Sequence, residues 1–107
     1  MVIRYNDKKV EKYCNDFSVA NKLFGMKIAK SLAVLMNDLA YVKRLSDFNS
    51  NPMLRRYNLH ELTGQKQGIK SLRVDYSYRM EIALMVMAVD GSEDEILILE
   101  VSKHYGD

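Results

Sequence analysis

Two hydrophobic periods run along the chain. From Ile69 onward the even positions Leu72, Val74, Tyr76, Tyr78, Met80 and Ile82 are apolar or aromatic, while Ser71, Arg73, Asp75, Ser77, Arg79 and Glu81 fill the odd ones. Alternation of this kind is the mark of strands with one core face and one polar face. The N-terminal half keeps a different beat. Residues 1–5 alternate as a short strand, and Asn6-Asp7 offers a helix cap. Residues 8–15 carry Val10, Tyr13 and Cys14 at three- and four-residue spacing, a narrow apolar stripe that needs a larger surface to pack on. A longer helix is expected from Ser18 or Val19 to Leu45, with Leu23, Ile28, Leu32, Leu35, Leu39 and Val42 on its inner side. Gly25 costs about 1 kcal/mol of helix propensity against alanine, and marks either a bend or the true start of the second helix.

Turn formers at residues 47–52 end that helix, since the residue before Pro52 is pushed out of helical space. Residues 53–57 read as a short turn or strand leading into Leu59 and Leu62. A strand over residues 80–88, a turn at Val89-Asp90-Gly91-Ser92 and a strand over residues 96–101 complete the chain. Ile96-Leu97-Ile98-Leu99 is apolar on both faces, which predicts the buried centre of the sheet. The expected fold class is α+β, with an N-terminal strand and two helices packed on one face of a small, largely antiparallel sheet. With 107 residues, 48% of them hydrophobic, the expectation is one domain spanning residues 1–107.

Charge and cysteine content narrow the chemistry. The net charge of +2 is too small to demand a polyanionic partner, so the local distribution of cations matters more than the sum. Cys14 is the sole cysteine, which rules out an intrachain disulfide and a two-cysteine metal site. With no leader pattern and no apolar run near the roughly 20 residues that span a bilayer, a cytoplasmic protein without membrane contact is expected.

A three-residue loop between the strands flanking Asp75 and Ser77 would set Arg73 directly across from Arg79. Such a like-charge pair disfavours a sheet by a few tenths of a kcal/mol to about 1, so an anion held by both cations accounts for it better. If Leu97, Leu99 and Val101 continue the core face, Ser102 and His104 emerge beside the arginines. Arg73, Arg79, His104 and Tyr105 are therefore the candidate catalytic group, with permanently charged planar donors and a proton source near neutral pH. Two histidines without carboxylates at ligand spacing give no metal site, and no cofactor is expected. Gly64-Gln65-Lys66-Gln67-Gly68 lacks the Walker spacing and a following helix, and reads as a hairpin connection.

The run Leu59-His60-Glu61-Leu62-Thr63-Gly64-Gln65-Lys66-Gln67-Gly68, followed by Ser71-Leu72-Arg73-Val74 and Tyr78-Arg79-Met80, resembles the signature of HigB toxins of the RelE/ParE superfamily. The ending Lys103-His104-Tyr105 is similar to the terminal histidine of HigB and the terminal histidine-tyrosine of YoeB toxins. The resemblance implies a type II toxin, a metal-free endoribonuclease cutting messenger RNA on the ribosome. It also implies a HigA-like helix-turn-helix antitoxin as partner. By the same resemblance Arg79 contacts the scissile phosphate, Arg73 helps neutralise it, and His104 transfers a proton. Tyr105 matches the YoeB terminal tyrosine. Lys66 and Lys70 are the cations available where Thr63 replaces a lysine common in HigB, and Tyr76 and Tyr78 are candidates for stacking on a base. The general-base glutamate of YoeB falls at His60, next to Glu61, which leaves the base unassigned. The alternatives are a gyrase-inhibiting ParE-like toxin and a protein-binding module.

Overall fold

Asp7 ends the first strand and starts the first helix. Its carboxylate accepts a hydrogen bond from the Val10 amide at 2.9 Å, satisfying one of the amide groups that a helix start leaves open. The computed structural model describes residues 1–62, 68–77 and 80–105, without the side chains of Ser77, His104 and Tyr105. Within it β1 (Val2–Tyr5) leads to α1 (Lys8–Asn15), α2 (Phe17–Phe24) and α3 (Met26–Tyr41). Asp16 closes α1 and caps α2, accepting from the Ser18 amide at 3.0 Å.

The helical region is thus more divided than the hydrophobic stripe predicts. Gly25, at φ 88° and ψ 162°, holds a backbone conformation that side-chain-bearing residues rarely adopt, and a new helix starts after it. This break resets the helical phase, so Leu23 is 47% exposed instead of buried with the others. The inner stripe of α3 is Ala29, Leu32, Leu35, Met36 and Leu39. That helix stops at Tyr41, short of Leu45, because Val42 is extended. A single turn, α4 (Asp47–Ser50), and a 3-10 helix (Pro52–Tyr57) follow. The latter replaces the expected turn or strand, with Pro52 at its start and the Asn51 side chain accepting from the Met53 amide at 3.0 Å.

The remaining strands are β2 (His60–Glu61), β3 (Ile69–Ser77), β4 (Met80–Ala88) and β5 (Glu95–Tyr105). They form a mixed sheet in the order β1-β5-β4-β3-β2, in which β1 runs parallel to β5 and the other pairs are antiparallel. The turn between β4 and β5 carries positive φ at Asp90 (53°) and Gly91 (74°), as its Asp-Gly sequence leads one to expect. The α+β class is therefore as expected, but the sheet's centre is not. That place belongs to β4, whose residues 81–86 are all buried, while β5 lies between β4 and β1 with Leu97 and Leu99 half-buried. Leu72, Ile82, Leu84, Val86, Ile96 and Ile98 form the core with Leu32, Leu35, Leu39 and Phe48. Each fully buried leucine or phenylalanine there contributes about 2 kcal/mol. No helix among the described residues is long and apolar enough to cross a membrane.

Candidate functional site

A β-bulge in β3 decides which side chains share a face. Ladder pairing runs Leu72 with Leu84 and Arg73 with Ala83, then skips Val74 and resumes with Asp75 opposite Ile82 and Tyr76 opposite Glu81. One extra residue inverts the alternation beyond it. Tyr76, expected on the core face with Leu72 and Val74, is moved to the face of Ser71 and Arg73 and is 46% exposed. Asp75 takes the helix-covered side in its place, where Lys27 of α3 meets it at 3.5 Å.

A second bulge does the same in β5. Met85 pairs with Glu100 and Val86 with Ile98, so Leu99 is the extra residue. Ile96 and Ile98 make the core side, in place of the expected Leu97 and Leu99. Past the bulge Val101 stands opposite Leu84, Ser102 opposite Ala83, and the backbone of His104 opposite Glu81. Ser102 and His104 thus reach the ladder positions beside Ala83 and Glu81, but for a different reason than continuous alternation. The bulge is secured from outside the sheet: the Tyr13 hydroxyl of α1 accepts a hydrogen bond from the Val101 amide at 2.8 Å. That oxygen serves an amide beyond the reach of β1, whose pairing with β5 ends at Ile98.

The two bulges gather a connected polar cluster around an acid that alternation alone does not single out. Glu81 is 3% exposed. Its Oε1 accepts from Ser71 Oγ at 3.3 Å, and its Oε2 accepts from Arg73 Nε at 3.1 Å. The Arg73 guanidinium in turn lies 5.0 Å from the centre of the Tyr76 ring, within cation–π range. Held through Nε, the arginine keeps its two Nη groups for an incoming anion, and its side chain is 36% exposed. The signal for Glu81 was loop length. Only Tyr78 and Arg79 separate β3 from β4, and a two-residue connection puts Glu81 opposite Tyr76 and near Arg73.

The predicted opposition of Arg73 and Arg79 is accordingly corrected: the residue across from Arg73 is Ala83, and its charged neighbour is an acid. Arg73 and Tyr76 are brought together, with the ladder position of His104 two steps along β5 from that of Ser102. Tyr105 ends β5 opposite Met80. Lys70 is not part of the cluster; it alternates with Ser71, and pairs with Val86 on the helix-covered side. Lys66, Tyr78 and Arg79 lie outside the described residues. His60 sits on β2 opposite Ser71, its Nδ1 2.8 Å from the Asn58 carbonyl, and Glu61 stands opposite Lys70. Comparison with protein-family models, with curated proteins and with solved structures finds no match. The cluster's chemistry must speak for itself.

A guanidinium held through Nε beside an aromatic ring is suited to hold an anion next to a stacking surface. A second network lies beside it on the 3-10 helix. The Tyr57 hydroxyl donates to Asp38 of α3, and Arg56 Nη2 donates to the Tyr57 oxygen at 2.8 Å. Burial, and then the hydrogen bond to Asp38, push the Tyr57 phenol up to about 12, so it stays a neutral donor. Burial alone pushes the Cys14 thiol up to about 12, which removes it as a nucleophile near neutral pH.

Proposed function

We propose that the chain is a HigB-like toxin of the RelE/ParE superfamily, an endoribonuclease that cuts messenger RNA on the ribosome in the cytoplasm and is restrained by a HigA-like helix-turn-helix antitoxin. The observation that carries the reading is the union of Ser71, Arg73, Tyr76 and Glu81 on one sheet face, with His104 at the ladder position opposite Glu81. A cation rigidly held beside an exposed aromatic ring is what binding a base-phosphate unit requires.

In the reaction, a base takes the proton of a ribose 2′-hydroxyl, and the oxygen forms a bond to the adjacent phosphorus. The bond from phosphorus to the 5′-oxygen breaks, and His104 gives its proton to that leaving oxygen. The products are a 2′,3′-cyclic phosphate and a free 5′-hydroxyl, so no water is consumed in the step. Arg73 and Arg79 stabilise the charge that grows on the phosphoryl oxygens, an effect worth a few kcal/mol per preorganised donor. Tyr105 matches the YoeB terminal tyrosine and is a candidate for stacking on a base. Glu81 is a positioning residue: both its oxygens are engaged and it is closed to solvent, so it aims Arg73 and does not accept the 2′-proton.

Induction of the chain alone in growing bacteria tests this directly. Growth arrest with transcripts truncated within translated regions is the expected outcome, relieved by co-expression of the antitoxin. Arrest with intact message and poisoned gyrase assigns the chain to the ParE-like branch. Unimpaired growth leaves a protein-binding module.

A further inference from the structure

The polar cluster does not end at the sheet. β2 pairs with β3 at Lys70 and Ser71, so among the described residues 73–77 of β3 have a neighbouring strand on the β4 side alone. Along that open edge runs a groove of about 370 Å³, walled by α3, the 3-10 helix and β3. Arg73 and Tyr76 belong to both: they sit in the cluster and line the groove. Across the groove stand Lys30 and Val34 of α3 and Arg56 with Tyr57 of the 3-10 helix. Lys30 is exposed and makes no ion pair with any described residue. Arg56 is fixed by the Tyr57 hydroxyl and by Asp38, 3.4 Å away, with its guanidinium 4.8 Å above the Tyr57 ring, yet its side chain remains 62% exposed.

We infer that this groove is a second RNA subsite, which takes the nucleotides leaving the sheet-face cluster across the edge of β3. The inference rests on the ribonuclease reading and extends it to residues that no catalytic step uses. Two features select a single-stranded nucleic acid over an extended peptide. The bulge at Val74 breaks the even ladder that an added strand would need, and bulges at an edge are a known barrier to strand addition. Tyr76 has a guanidinium on one side and is nearly half exposed, so it offers a base a stacking surface next to a cation. Lys30 and Arg56 then meet successive phosphates, and Val34, also exposed, packs on a sugar or base. The carboxylates nearby are engaged already, Asp75 by Lys27 and Asp38 by Tyr57 and Arg56, which limits their repulsion of a phosphate.

The test uses the full chain and oligouridylates, two and eight residues long, made uncleavable by 2′-O-methylation and followed by fluorescence anisotropy against salt. The octamer should bind more tightly than the dimer. Lys30→Gln should weaken octamer binding about three- to tenfold at low salt, and Lys30→Gln with Arg56→Gln more, while the dimer is unaffected. The double variant should flatten the plot of log K against log salt by about 1.4, for two phosphate contacts on a single strand. Lys30→Gln carries the test if Arg56→Gln disturbs the fold. Octamer affinity equal to wild type in both variants overturns the subsite, while leaving the ribonuclease reading intact as long as the dimer binds and message is cut. Equal losses for dimer and octamer, or full displacement by octaglutamate at matched charge, also overturn it, since the groove would then attract any polyanion. Absence of binding by either oligonucleotide, with message left intact in induced cells, removes both readings together.

Discussion

Replacing Glu81 separates its two roles, because glutamine keeps its shape and alanine does not. In Glu81→Ala, Ser71 Oγ is left at a fully buried position without its acceptor, which costs about 1 kcal/mol. Arg73 loses a carboxylate at 3.1 Å, and although a buried pair broken on one side costs about 3–5 kcal/mol, this arginine is about one-third exposed, so screening brings the loss to about 1–2. With the packing of the removed methylene, the total is about 3 kcal/mol, or roughly 15 °C in Tm for a chain of this size. In Glu81→Gln the amide oxygen still accepts from Arg73 Nε, and the amide NH₂ donates to Ser71 Oγ, which can accept as well as donate. What is lost there is charge assistance, about 1 kcal/mol or 4–8 °C. Circular dichroism melts rank the variants, and cleavage of ribosome-bound message supplies the functional readout. Glu81→Ala should cut turnover about a hundredfold through a misdirected Arg73. Glu81→Gln, with an arginine that stays aimed and is less neutralised, should hold turnover within about threefold and lower KM. A double-mutant cycle with Arg73→Met should return a coupling of about 1 kcal/mol or more. Both variants melting within about 2 °C of wild type would refute the reasoning, as would equal turnover in the two.

Further outcomes rest on single residues. Tyr13→Phe strips the acceptor from the Val101 amide, and should cost about 1–2 kcal/mol in chemical denaturation while lowering cleavage more than that loss explains, because the bulge it secures sets the position of His104. Gly25→Ala meets no atom within 4 Å, so its cost, about 1–3 kcal/mol by urea titration, is backbone strain alone. The Cys14 thiol, raised by burial from 9.0 to about 12, favours the fold fully below pH 9 and loses that contribution as pH climbs toward 12, by about 1.4 kcal/mol per pH unit. Stability should therefore fall from pH 9, steepen above 10 as Tyr57 joins, and begin its fall later in Cys14→Ala. Finally, wild-type cleavage should decline as pH rises, the mark of a histidine proton donor, whereas residual cleavage in His104→Gln should lack that limb, and Arg79→Ala should abolish or greatly reduce cleavage without unfolding the chain.

The parts of the fold legible in the sequence are those set by short-range chemistry. Asp7 as a cap, the Asp90-Gly91 turn and the core stripe of Leu32, Leu35 and Leu39 each follow from one residue's preference or a single period. The division of the long helix at Gly25 was legible as a place but not as an outcome, since a glycine within a helix and a glycine between helices obey the same propensity. The central strand was misjudged because an apolar run on both faces reports burial, not position in the sheet: β5 has that run, yet β4 lies in the middle.

The site was harder to read, and the reason is parity. Strict alternation forces every residue of one phase to one face, so counting from Leu72 sends Tyr76 into the core and counting from Leu97 gives the wrong core residues in β5. Each bulge shifts the phase by one, and neither leaves a signature in the sequence: Val74 and Leu99 are ordinary strand residues, with no glycine to announce an irregular position. Their placement is fixed by partners distant in the chain. Tyr13 meets Val101 across 88 residues, and the Lys27 ammonium pairs with the Asp75 carboxylate that the first bulge turns toward α3. The helices therefore do more than cover the sheet. They stabilise the two local departures that move an aromatic ring, a serine and the ladder position of a histidine to the face of Arg73. A variant that restored perfect alternation, by deleting Val74, would keep Leu72 and Leu84 paired. It would also leave Tyr76 opposite Glu81 on the face of Arg73, since removing the extra residue preserves every pairing beyond it; a chain that kept Val74 but paired it with Ile82 would instead turn Tyr76 to the helix-covered side and lose the surface on which the proposed chemistry depends.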